Sequence, residues 1–93
     1  MNVDKAHKRI EKRVKRGFQG YPMISIQYFG QSSDLASKVE VSFIEQEGAP
    51  AMAESFNSSN DIRQDETVQT TIIKIIDRVD AKTVTLAETV LPL

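Results

Sequence analysis

Apolar positions recur along this chain with two different periods. Between residues 4 and 16 there is no Gly or Pro, and Val3, Ala6, Ile10 and Val14 fall three and four apart, which predicts a helix with one narrow apolar stripe. Asp4 and Glu11 lie in its first half, Lys15 and Arg16 in its last turn, and Gly17 stops it, the polarity a helix dipole favours. After the turn residues 17–22 the period drops to two. Ile24, Ile26 and Tyr28 share one strand face, and Met23, Ser25, Gln27 and Phe29 the other. A turn over residues 30–34 then leads to Val39, Val41 and Phe43 alternating with Lys38, Glu40 and Ser42. Two alternating runs around a polar turn predict a β-hairpin.

Gly48-Ala49-Pro50 breaks the second strand, and residues 51–56 leave room for a short helix before the loop Asn57-Ser58-Ser59-Asn60, whose side chains compete for helical hydrogen bonds. A longer helix follows, with Asp61 or Asp65 as its N-cap and Val68, Ile72, Ile75, Ile76 and Val79 as its core stripe. Thr83-Val84-Thr85-Leu86-Ala87 alternates as a third strand. A helix between the second and third strands permits a right-handed crossover that sets them parallel. The expectation is an α+β fold: a two-layer sandwich with an N-terminal helix, a β-hairpin, and a short plus a long helix crossing to a third strand. The first helix either covers the same sheet face or reaches another subunit.

Charge divides the chain where hydropathy does not. Residues 1–16 carry seven of the twelve Lys and Arg against two acids, net +5, and residues 17–93 carry five against eleven, net −6. A single domain of residues 1–93 thus reads as a basic helix joined to an acidic body. Ninety-three residues suit one core. No cysteine is present, so a disulfide framework is excluded and a reducing, cytoplasmic setting is expected. The apolar runs at Ile72-Ile73 and Ile75-Ile76 are split by Lys74, and the opening residues lack an apolar leader; no membrane partner and no secretory signal are expected. The last residues, Val90, Leu91, Pro92 and Leu93, are apolar. They either dock on the domain's own sheet or, as Val90, Leu91 and Leu93, form an interface. Open sheet edges add to the expectation of a homodimer.

Catalytic chemistry has few parts to work with. His7 is the single histidine, and neither Gly-x-Ser-x-Gly nor His-Glu-x-x-His occurs, so nucleophilic triads and histidine metal sites lack obvious members. His7 is expected at the edge of a packing face. Asp61, Asp65 and Glu66 suit hard cations, but acids at a helix start are better explained by capping; no metal and no cofactor are expected. Gly17-Phe18-Gln19-Gly20 has the bare spacing of a phosphate-clamping GxxG loop, yet Pro22 and a strand follow, which favours a turn seating Phe18 and Tyr21 against the core. Lys5, Lys8, Arg9, Lys12, Arg13, Lys15 and Arg16 surround the first helix and suit phosphates, with Phe18 and Tyr21 available to stack on bases. The competing explanation lays this positive helix on the acidic body. A small-molecule pocket near the Gly17 turn would use Phe18, Tyr21 and Tyr28.

Arg13 to Arg16 run into Gly17-Phe18-Gln19-Gly20-Tyr21-Pro22, followed by Tyr28-Phe29-Gly30, Ala36-Ser37-Lys38-Val39, Glu47-Gly48-Ala49 and Asp61-Ile62-Arg63. In these segments the chain resembles a family of small, functionally uncharacterised bacterial proteins carrying the Gly-Phe-Gln-Gly-Tyr-Pro motif. The resemblance implies an α+β fold and a bacterial cytosolic setting. Longer members continue into a Cys- and His-containing tail that looks like a metal site; this chain has no Cys and no second His, so that role is not carried over. The leading functional expectation is a non-enzymatic, self-associating interaction domain. The alternatives are nucleic-acid binding by the basic helix and a small-molecule binder or enzyme.

Overall fold

The computed structural model describes residues 2–87 and 89–93. In chain order its elements are helix α1 (Val3–Val14), strands β1 (Met23–Gly30), β2 (Lys38–Ile44) and β3 (Met52–Asn57), a 3-10 turn (Ile62–Gln64), helix α2 (Glu66–Arg78), and strands β4 (Thr83–Leu86) and β5 (Leu91–Pro92). The sheet runs β3-β2-β1-β4, with β5 also pairing with β1. It is an α+β fold with a mixed sheet.

The predicted hairpin forms: β1 and β2 are antiparallel from Met23↔Ile44 to Phe29↔Lys38. Ile24, Ile26, Tyr28, Val39 and Val41 are buried on one face, joined by Val84 of β4. Both helices belong to that core. α1 contributes Ala6 and Ile10, and α2 contributes Ile72, Ile73, Ile75 and Ile76. The first helix therefore packs on its own chain, against α2 and β4. Ile73 extends the stripe expected for α2 because that helix meets α1 on one flank and the sheet on another. The opposite sheet face, with Gln27, Ser55 and Thr85 exposed, is open to water.

Two elements depart from the expectation. Residues 51–56 do not make a short helix; from Met52 onward they form β3, paired along nearly all of β2's outer edge from Lys38↔Asn57 to Phe43↔Met52. Ala, Met and Glu favour helices, but so short a segment barely exceeds a helix nucleus, and a vacant strand edge satisfies every other backbone group at once. Gly48 at φ 81° makes the reversal that delivers the chain to that edge. The third predicted strand, β4, is parallel to β1 and not to β2. With β2 antiparallel to β1, β4 runs opposite to β2, and α2 carries the chain from one side of the hairpin to the other.

The carboxylates at the α2 entrance are caps. Asp61 accepts from the Arg63 amide at 3.0 Å and starts the 3-10 turn, and Asp65 accepts from the Val68 amide at 3.1 Å and starts α2. The apolar C-terminal residues split. Leu91 and Pro92 extend the β1 edge beyond β4, opposite Phe29 and Gly30, Val90 packs against the core, and Leu93 stays exposed. Among the described residues no helix is long and apolar enough to cross a membrane.

Candidate functional site

α1 is a polar helix held by a thin apolar stripe, so its cations have to lie beside the core or point away from it. Arg9, Lys12, Arg13 and Arg16 recur at i, i+3, i+4 and i+7, one flank of the helix. That flank faces the second half of α2. Between the two helices lies a cleft of about 260 Å³, lined by these four cations and by Asp77, over a floor of Ile10, Ile73 and Ile76. A second, more open depression shares Arg13 and Arg16 and adds Gln19, Asp80 and Lys82. The two adjoin at Arg13 and Arg16 and together carry five cations and two carboxylates.

Charge pairing across this surface is sparse. Arg9 stands 3.8 Å from Asp77, with both side chains about half exposed, a separation at which an ion pair contributes little. Arg13 is tied down, donating from its guanidinium to the Ala81 carbonyl. Lys15 pairs within α1, 3.2 Å from Glu11, on a different flank. Lys5 and Lys8 are exposed outside the cleft. Among the described residues, Lys12 and Arg16 make no ion pair.

Sequence reasoning grouped all seven N-terminal cations; the fold selects four of them. It also adds Lys82, from the connection between α2 and β4. The α2-to-β4 connection brings it alongside, where its amide donates to the Pro22 carbonyl at 2.9 Å and its side chain passes close to Gly20. Proximity between residues so far apart along the chain leaves no periodic signal.

At the end of the basic surface comes the Gly17 turn. Gly17 and Gly20 sit at φ 69° and 105°, conformations that side-chain-bearing residues rarely adopt. Thr83 pins the loop: its Oγ1 accepts from the Gln19 amide at 2.8 Å and donates to the Gly20 carbonyl at 2.6 Å. The Gln19 side chain returns to the Arg16 carbonyl at 2.8 Å. Phe18 is not seated in the core as expected. It is 65% exposed, with its ring packed edge-to-face on Tyr21, centroids 5.5 Å apart. The pinned turn uses Tyr21 as a buttress and holds Phe18 out.

The grouping of Phe18 and Tyr21 with Tyr28 does not form. Tyr28 is buried at the far end of β1 beside a separate small cleft of about 220 Å³ near His7, Glu11, Gln69 and Leu86. Its hydroxyl accepts from Gln69 Nε2 at 3.1 Å, and the same amide donates to the Ile62 carbonyl at 3.1 Å. Burial pushes the Tyr28 phenol above its ordinary pKa, opposed by the Gln69 hydrogen bond. His7 lies at the packing edge, with Nε2 donating to the Arg63 carbonyl at 2.6 Å. Both groups are engaged in holding the fold.

Comparison with protein-family models, with curated proteins and with solved structures gave no match.

Proposed function

We propose that the protein binds nucleic acid through the basic flank of α1. The observation that carries this reading is the arrangement of charge where α1 lies on the body: the contact beneath its cationic flank is apolar. The flank rests on Ile73 and Ile76, and beside it Asp77 stands 3.8 Å from Arg9. Glu40, Glu45, Glu47 and Glu54 belong to β2, β3 and their connection, apart from the cleft. Five cations beside two acids repel one another, and a polyanion relieves that repulsion while releasing its own counterions.

The test is oligonucleotide binding by fluorescence anisotropy at two salt concentrations. Five phosphate contacts predict a log–log salt slope of about −3.5 for a single strand and about −4.5 for a duplex. Lys12→Glu with Arg16→Glu should reduce affinity by at least tenfold and leave the circular dichroism spectrum unchanged, since neither side chain makes an ion pair. Arg9 and Arg13 are poorer choices, because each also touches the fold. Binding that ignores both salt and the double substitution overturns the reading.

A second reading, self-association, is favoured by one feature. The outer edge of β3 has no strand beside it among the described residues, and Met52, 69% exposed, adjoins an apolar cleft of about 350 Å³ between β3 and α2. A second copy pairing edge to edge would extend the sheet and cover that cleft.

A further inference from the structure

The shape and the aromatic end of this surface bear on which nucleic acid it takes, a question that rests on the nucleic-acid reading above. We infer that the site accepts a single strand, its phosphates on Arg9, Lys12, Arg13, Arg16 and Lys82 and one base stacked on Phe18.

Shape is the first argument. A helix that reads duplex DNA protrudes, so that its convex face enters the major groove. The cationic flank of α1 instead walls a cleft with α2, beside the stripe through which Ala6 and Ile10 anchor the helix. A flexible single backbone can follow such a trough, whereas a stiff, wide duplex meets only its rim.

Phe18 is the second. It follows Arg16 by two residues, and its neighbour Gln19 lines the depression with Arg13, Arg16 and Lys82. A large aromatic ring left 65% exposed on a loop fixed by three hydrogen bonds is poor burial but a prepared stacking surface: its orientation is set before any ligand arrives. Positive grooves that end on such rings bind unpaired strands, whose bases offer free π-faces. In a duplex those faces are already stacked, and opening a step to reach one costs free energy that a single strand does not spend.

Asp80, on the α2-to-β4 turn, borders the track and repels a backbone that strays toward it.

The experiment compares oligothymidylate with a duplex of equal length, using wild type, Phe18→Ala and Phe18→Trp. Because the chain has no tryptophan, the indole introduced by Phe18→Trp would be the sole one and would report stacking directly. The expected result is tighter binding of the single strand, a loss of about tenfold in Phe18→Ala for the single strand alone, and quenching of the Phe18→Trp fluorescence on binding. If both nucleic acids bind equally and Phe18→Ala changes neither, the single-strand inference is overturned while the nucleic-acid reading stands. If wild type binds neither, both fall.

Discussion

Asp61 shows how one side chain can serve two structural ends. Its Oδ1 accepts from the Arg63 amide and from Nε at 2.9 Å, and its Oδ2 lies 2.6 Å from Nη2, so the cap of the 3-10 turn is also an ion pair. The Arg63 guanidinium holds the Asp61 carboxyl below the usual carboxylate range, against a smaller opposing effect of burial. A depressed pKa contributes stability that is present above the unfolded value and lost as pH falls through the folded one. The window therefore lies below about pH 4. Asp61→Asn keeps an acceptor for the Arg63 amide but removes the charge; it should cost about 1 kcal/mol at pH 7. Urea unfolding at pH 7 and again well below pH 4 should show that deficit shrinking in acid, and a constant deficit would mean that the charge is not its source. Gln69 belongs to the same scale. Its amide, fully buried, joins Tyr28 on β1 to Ile62 before α2, and nothing in the isoleucine stripe around it indicated a polar position facing inward.

Among the elements, β3 departs furthest from local preference. Its residues favour a helix, yet five of the six are exposed and the strand is held largely by its ladder to β2. Phe56, opposite Val39, gives it an apolar anchor. Glu54 pairs with Val41 and so sits on the helix-covered side of the sheet, where a charge discourages indiscriminate edge pairing. Self-association through this edge must then be specific and modest in strength. Sedimentation at high micromolar concentration should detect a dimer if the second reading holds, and Met52→Lys, at an exposed position, should return it to monomer. A wild-type protein that stays monomeric under those conditions removes β3 as an interface. The C-terminal residues are weaker candidates, because Val90 and Leu91 are already committed to the core and to β1.

For the whole molecule, the consequence of the fold is an uneven field. Net charge is only −1, but five cations line two adjoining depressions. Their mutual repulsion destabilises the native state slightly and is relieved by anything that binds there. Inorganic tripolyphosphate at low ionic strength should therefore raise Tm by a few degrees in wild type. The same addition should have little effect on the protein carrying Lys12→Glu and Arg16→Glu, as thermal melts followed by circular dichroism would show. An equal shift in both proteins would place anion binding elsewhere.

The amino-acid sequence by itself determined α1, the β1–β2 hairpin, the α2 stripe and its caps, and β4, because each depends on periodicity and on end signals close by in the chain. It also determined that positive charge is concentrated near one end of the chain. Only the tertiary structure decided that residues 52–57 become a strand, that β4 lies beside β1, that Phe18 faces water, and that Lys82 joins four of the seven helical cations. These outcomes turn on which edge is vacant, which helix flank faces a neighbour and which distant carbonyl a side chain can reach. Such contacts join residues far apart along the chain and have no period to read.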